Sequence, residues 1–303
     1  MKRLSAPDIP GNFVRYNAPL APYATWGVGG VAETLFTPRD ESELVTAVKW
    51  ARDNRTDFYI LGGGSNVLIS DDVISVPVVL MTGISGIGYR EDKDDILLDC
   101  MAGTNMKDVL SLTVKNGWSG LEMAAGIPGS VGGAVAGNAG TSQGFIGSSV
   151  DRVVIVDADG TVSERMGHDM GWDYRKCGCF SDSRRVALSV TFRMRRSSPE
   201  DVADAMRTAM QGRSGQPVAS RTAGCVFRNP IGDSAGRMLD VSGCKGMSVG
   251  GARVSDAHAN FIENVGGCSA CDIMSLAMSC RKKVMDSFGT LLTFEVKMLG
   301  LSD

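Results

Sequence analysis

From Val31 onward the apolar residues alternate between two rhythms. Residues 31–37, VAETLFT, alternate and predict a strand. From Asp40 to Asn54 the spacing becomes helical, with Leu44, Val48 and Ala51 on one side. Asp40 can cap that helix, and Glu43 sits at its third position. FYIL then ends a strand at Leu61, and the loop GGGSN follows at 62–66. Further strands are expected near 76–81 and 95–101, then a helix from Asn105 that Gly117 ends. VDRVVIVDADGTVSE predicts a hairpin about Asp159-Gly160. Val186, Leu188, Val190, Phe192 and Met194 alternate along one more strand.

Pro199 opens a helix, and Gly212 to Arg221 is a loop rich in Gly, Ser and Gln. Asp233 to Ser242 is expected to be helical. So is Ser269 to Phe288, which carries Ile273, Leu276, Cys280 and Val284 at helical spacing and a capping box from Ser269 to Asp272. LLTFEVKML is expected as a final strand. Strands and helices interleave without a strict β-α-β rhythm, so the fold class expected is α+β. A boundary at 197/198 would divide the chain into an N-terminal segment 1–19, a domain over 20–197 and a domain over 198–303.

Composition narrows the function classes. The 303 residues carry a net charge of -3, which lacks the basic footprint of a nucleic-acid binder. Arg193, Arg195 and Arg196 read as the solvated side of a strand. Apolar runs are broken by Gly, Asp or Lys well short of the roughly 18 residues a membrane span needs. MKRLSAPDIP has no apolar stretch after its basic residues, so a cytoplasmic location is expected. The expected partner is a small molecule, with no nucleic acid, no membrane and a monomeric state. Eight cysteines then read as thiols rather than a disulfide framework. The Cys268/Cys271 CxxC has no second pair at zinc spacing and opens a helix, so packing is favoured over a metal there, and Cys177/Cys179 is treated alike.

Two glycine-rich segments carry the chemistry. GVGGVA at 27–32 fits a dinucleotide fingerprint only formally, because a strand rather than a helix follows it. GGGSN is different in kind. Its three glycines let successive amides converge on an anion, and Ser65 and Asn66 add hydrogen-bond donors. On its own it reads equally as a tight turn or a pyrophosphate cradle. The second run, from Gly126 to Gly140, favours the cradle, because two such loops suit one long cofactor.

GGGSN at 62–66, AAGIPGSVGGAVAGNAG at 124–140, YRKCGCF at 174–180, AGCVFRNPIGDSAGR at 223–237, VGGARVSDAHANFI at 249–262 and the terminal FEVKMLG together resemble the UDP-N-acetylenolpyruvoylglucosamine reductase family. The resemblance runs in order from about Asn17 to Gly300. It implies a two-part FAD-binding domain of the vanillyl-alcohol-oxidase type and a C-terminal α+β substrate domain, in the shorter class without an inserted loop. It implies noncovalent FAD, NADPH as hydride donor, and reduction of UDP-N-acetylglucosamine enolpyruvate for cell-wall synthesis. No metal is implied.

Carried over by motif, the FAD contacts are Gly62, Gly63, Gly64, Ser65, Asn66, Leu68, Ala125, Gly126, Ile127, Pro128, Ser130, Val131, Gly132, Asn138 and Ala139. Arg175 matches the arginine that stabilises the developing enolate, and a guanidinium can grip a carboxylate through two hydrogen bonds. Cys225 stands where the family more often has a proton-donating Ser. A thiol, with an ordinary pKa of about 8.5, keeps that role. Glu295 matches the family Glu that orients substrate or relays a proton. Tyr174, Asn229, Arg237 and His258 are expected near substrate, although His258 could equally be a hydrogen-bonded core histidine. Three departures stand out: Gly27 for a frequent Arg, Cys177 for a frequent Ser, and Cys268 and Cys271 for small residues. The rivals are a sugar or lactone oxidase of the same fold and a flavin-binding protein without catalysis. His168 and His258 are the only histidines and neither lies in an FAD loop, which disfavours a His-linked flavin. The joint presence of Arg175, Cys225 and Glu295 disfavours a non-catalytic role.

Overall fold

A computed structural model describes residues 12–301 apart from 142, 182, 183, 212, 214, 218 and 219. Residues 1–11 of the expected N-terminal segment, and part of the 212–221 loop, lie outside the described residues. The chain forms two compact units. Of the described residues, the first holds those up to Tyr16, Thr34–Gly63 and Val76–Arg213. The second holds Asn17–Glu33, Gly64–Ser75 and the chain beyond Arg213.

The two larger sheets of the first unit pack around one core. In one, Leu35 and Phe36 run parallel to Val78 and Val79, and Tyr59–Leu61 runs parallel to Val78–Leu80. Helix α1, Glu41–Asp53, is capped by Asp40, whose side chain accepts from the Glu43 amide. Leu44, Ala47, Val48 and Ala51 are its buried face. The other sheet is antiparallel, in the order Val162–Met166, Val150–Val156, Val186–Arg196, Asp95–Met101, Ile87–Asp92. Phe192 and Met194 are fully buried, while Arg193, Arg195 and Arg196 face solvent as expected. Arg193 is ion-paired there with Asp92, Asp95 and Asp151. Helix α2, Met106–Asn116, starts at Asn105 and stops at Gly117, whose φ of 66° is the left-handed cap expected of it. Helix α3, Val131–Ala136, lies inside the second glycine run.

Helix α4, Pro199–Gln211, belongs to this first unit, so the compact units do not coincide with the boundary expected at 197/198. The Ser197 amide donates to the Gly117 carbonyl at 2.7 Å, α4 packs on α2, and Val202 and Ala209 are buried. Pro199 opens this helix, as expected.

The second unit gathers three distant stretches of chain. Its antiparallel sheet is Ser248–Val249, Ala252–Val254, Ile262–Asn264. Helix α5 is Ala235–Val241, and helix α6, Ala270–Phe288, has the expected Ser269–Asp272 capping box. Residues 17–33 join this unit because the Trp26 indole donates to the Ile262 carbonyl at 2.8 Å and Asn264 donates back to the Trp26 carbonyl at 2.7 Å. Residues 64–75 join it because Val67–Ile69 runs parallel to Lys297–Leu299 and Asp71 accepts from the amides of Ala270 and Cys271.

The last strand is shorter than expected. Only Lys297–Leu299 is regular, and Phe294 makes a single bridge to Phe227. The amides of Glu295 and Val296 both aim at the Val226 carbonyl, at 2.8 and 3.5 Å. That convergence marks a kink where the chain leaves one partner and takes up Val67–Ile69.

Candidate active site

The first unit carries Gly62, Gly63 and the second glycine run. The strand Tyr59–Leu61 delivers Gly62 and Gly63 against Gly129 and Ser130. A Cβ on Gly63 would lie 2.8 Å from the Gly129 Cα, and one on Gly62 would lie 2.4 Å from the Ser130 hydroxyl. The two backbones therefore touch, and any side chain would part them. Gly63, Gly126 and Pro128 are exposed, and Gly62, Ile127, Gly132 and Ala139 are half-buried. Together they present a surface of backbone and small side chains, which suits the close approach of a pyrophosphate and a flat ring. The FAD expected from the motifs fits these residues.

Other members of the expected set sit behind that surface. Ala125, Ser130, Val131 and Asn138 are buried. Val131 donates its amide to the Thr104 carbonyl and Gly132 donates to the Ala102 carbonyl, so those amides are spent within the protein. Asn138 is a strut. Its φ is 41°, its amide nitrogen donates to the Asp173 carbonyl at 2.9 Å, and its oxygen accepts from the Gly147 amide at 3.1 Å.

Through Asp173 that strut holds the Tyr174-Arg175 turn, which joins Trp172–Asp173 to Lys176–Cys177. Arg175 has φ of 54°, a conformation that non-glycine residues adopt at some cost and that recurs at functional sites. Its half-buried guanidinium lies 5.5 Å from the centre of the Tyr174 ring, whose edge meets Phe145. Cys177 is buried beneath the turn, its thiol pushed up to about 11 by burial, so it packs as a small apolar residue.

The second unit carries the rest of GGGSN. Gly64 has φ of 63° and packs so closely on the Tyr23 carbonyl that a Cβ would lie 1.8 Å from it. Its own carbonyl accepts from the Thr25 amide and hydroxyl. Ser65 is half-buried and Asn66 exposed, while Leu68 is core. Asn66 accepts from the Lys297 amide at 3.1 Å and reaches the Glu295 carbonyl at 3.4 Å. The end of the glycine loop is thus bonded directly to the segment that bears Glu295.

Cys225 and Glu295 lie on adjacent stretches of backbone. Residues 225–228 run between 260–261 and 293–295: Cys225 bridges Phe261, Phe227 bridges Phe294, and the Arg228 amide donates to the Thr293 carbonyl at 2.9 Å. Phe227 and Phe294 stack with ring centres 5.0 Å apart. Arg228 Nε lies 3.0 Å from Glu295 Oε2. Cys225 is half-buried, so its thiol can face a ligand while solvent access is reduced.

The sequence reading missed two residues here. Arg228 is one. The other is Asn260, 2% exposed, whose oxygen accepts from the Phe227 amide at 2.9 Å and whose nitrogen donates to the Phe227 carbonyl at 2.8 Å. One carboxamide replaces a strand and fixes the backbone between Cys225 and Asn229. A polar residue inside the apolar run AHANFI was the available signal.

The expected substrate contacts in this unit are partly committed elsewhere. The exposed Asn229 uses its oxygen to accept from the Ala235 amide at 3.0 Å, anchoring α5. Arg237 pairs with Asp233, whose carboxyl it holds down at about 2, and lies over Phe288. His258 accepts from the Asn260 amide through Nδ1 at 3.2 Å and packs edge-on against Phe261. Burial lowers its pKa, so it sits as a neutral imidazole whose Nδ1 holds the Asn260 segment. Burial raises the Cys268 thiol to about 11.

The C-terminal domain model of UDP-N-acetylenolpyruvoylglucosamine reductase matches residues 216–299, and an FAD binding domain model matches residues 32–164. The UDP-N-acetylenolpyruvoylglucosamine reductase of Syntrophobacter fumaroxidans is 36% identical over 94% of this chain and 84% of its own length. The chain belongs to the UDP-N-acetylenolpyruvoylglucosamine reductase family. The crystal structure of the family's enzyme from Thermus caldophilus superposes with a TM-score of 0.80 at 31% identity, over 95% of this chain and 100% of that one. A glucose dehydrogenase, Phl p 4.0202, matches at a TM-score of 0.51 and 17% identity, over 63% of this chain and 43% of that one, and shares the fold alone. The α+β class with an FAD-binding domain of the vanillyl-alcohol-oxidase type stands on these likenesses and on the mixed helices and sheets of the first unit. Within the reductase family frame, Arg175 lies in the first unit, and Cys225 and Glu295 lie in the second.

Proposed function

We propose that the chain is an FAD-dependent, NADPH-consuming reductase that converts UDP-N-acetylglucosamine enolpyruvate to UDP-N-acetylmuramate, a peptidoglycan precursor. Membership of the reductase family supports the reaction. The structural observation that carries it is the bonding of the glycine loop to the Glu295 segment, beside the strand that bears Cys225. Asn66, Glu295 and Cys225 all lie in the second unit, which supports a shared role for them.

Gly62 to Asn66 and Gly126 to Ala139 would hold FAD noncovalently, and FAD would supply hydride chemistry with NADPH as the donor. The substrate's methylene carbon accepts the hydride, and negative charge develops on the adjacent carbon and its carboxylate. Arg175, fixed in its strained turn, is assigned to that carboxylate through its planar fork. Cys225 is assigned the proton delivered to the adjacent carbon. Glu295 is assigned to orient the substrate. Tyr174, Asn229 and Arg237 are assigned to the periphery of the nucleotide-sugar, and His258 to support of the Asn260 segment. Among the described residues no helix is long and apolar enough to cross a membrane. A cytoplasmic, monomeric enzyme completes the reading.

The test is colour. Purified protein should be yellow, bleach with NADPH and recover its colour anaerobically on addition of UDP-N-acetylglucosamine enolpyruvate. A colourless protein that takes up no FAD would remove the proposal. A protein that recolours with a sugar or lactone acceptor, and not with the enol ether, would favour an oxidase.

A further inference from the structure

Arg228 and Glu295 form an ion pair across neighbouring stretches of chain. The contact is 3.0 Å, with the side chains 31% and 17% exposed. The two atoms that meet, Nε and Oε2, are both shut off from solvent, and their approach is a charge contact rather than an aligned hydrogen bond. The backbone holds the pair in register from both sides, through the Arg228 amide on Thr293 and the Glu295 amide on Val226. Arg281 of α6 lies over the neighbouring Phe294 ring, Lys297 follows two residues on, Asn66 bonds the Glu295 carbonyl, and Cys225 lies on the adjacent strand.

We infer that Arg228 is a positioning residue that holds Glu295 as an ionised carboxylate, which leaves Cys225 as the sole proton source of the pair. This rests on the reaction proposed above. The 3.0 Å guanidinium contact favours the charged carboxylate, whereas burial favours the neutral acid. The ion pair carries no net charge, so the carboxylate can stand beside a developing enolate without repelling it. Oriented this way, Glu295 accepts hydrogen bonds from the substrate and cannot donate a proton. The electron pair of the enolate then takes the proton of the Cys225 thiol. The S–H bond breaks, a C–H bond forms beside the substrate carboxylate, and water reprotonates the thiolate.

Two measurements test this. The first follows the Glu295 carboxyl by carbon NMR in the folded protein and needs no substrate. In the wild type it should titrate below the ordinary glutamate value of about 4.3. In Arg228→Met it should rise by about one pH unit or more, and Arg228→Lys should restore it. A wild-type Glu295 that titrates at or above its ordinary value, or identically with and without Arg228, overturns the inference. The second follows single-turnover recolouring by the enol ether from pH 5 to 9. Arg228→Met should gain an acid limb at higher pH than the wild type, while Arg228→Lys keeps the wild-type profile. A superimposable profile in Arg228→Met, with the bound-flavin spectrum and Tm intact, also overturns it. Failure of the proposed reaction looks different: the wild type itself would bleach and never recolour.

Discussion

In the first unit the surface proposed for the cofactor is mostly bare backbone, built from Gly62, Gly63, Gly126 and Gly132. In the second unit the proposed site is built from side chains, Cys225, Arg228, Asn260 and Glu295, held on three neighbouring stretches of chain. The difference follows from the two tasks. A large flat cofactor is gripped by close approach, and glycine allows it. A reaction on one carbon needs charge and a proton at defined points, which only anchored side chains supply. The first kind of surface fails when an atom is added, the second when one is removed.

Four experiments press on that contrast. The largest effect is expected at Cys225→Ala, which should slow recolouring by the enol ether about a hundred- to ten-thousand-fold, as loss of a general acid does. Bleaching by NADPH should stay within a few fold, and Cys225→Ser should keep substantial activity. Stopped-flow absorbance separates the two half-reactions, and equal loss in both would point to flavin loss instead.

Next is Asn260→Ala. Removing the carboxamide orphans the amide and carbonyl of Phe227, at roughly 1–3 kcal/mol each, so a stability loss of about 2–6 kcal/mol is expected. Urea unfolding measures it, and a loss under 1 kcal/mol would mean that water replaces the carboxamide. Gly63→Ala comes third. Its Cβ must displace Gly129, and overpacking of this kind costs about 1–3 kcal/mol. Here the loss should fall on FAD affinity, read by flavin fluorescence, more than on Tm.

His258 gives the smallest effect. Burial lowers its pKa, so the folded state favours the neutral ring. Its contribution is complete above the ordinary histidine value of about 6.5 and fades as pH falls below that value toward the lowered one. His258→Gln should therefore flatten the decline in Tm between pH 7 and 5. An unchanged slope would place that decline on other groups.

Much of the local structure was legible in the sequence. Asp40, Asn105 and Ser269 cap the helices they were expected to cap, and Gly117 takes the left-handed backbone expected of it. These depend on neighbours a few residues away, and the chain states them directly. The glycine motifs also declared themselves, because backbone approach requires that one residue type. Arg228 and Asn260 were not legible as site residues. Each acts on a partner far along the chain, Glu295 in one case and Phe227 in the other, and nothing local marks such a pairing.

The sequence by itself determined the elements, their caps and the family. The tertiary structure decided the grouping: that α4 belongs with the first unit, that residues 17–33 and 64–75 belong with the second, and that the last strand kinks at Glu295 to change partners. The reason is range. Helical and strand periodicity is set by adjacent residues, whereas the seating of Trp26 on Ile262, of Asp71 on α6 and of Arg228 on Glu295 exists only once distant stretches have packed together.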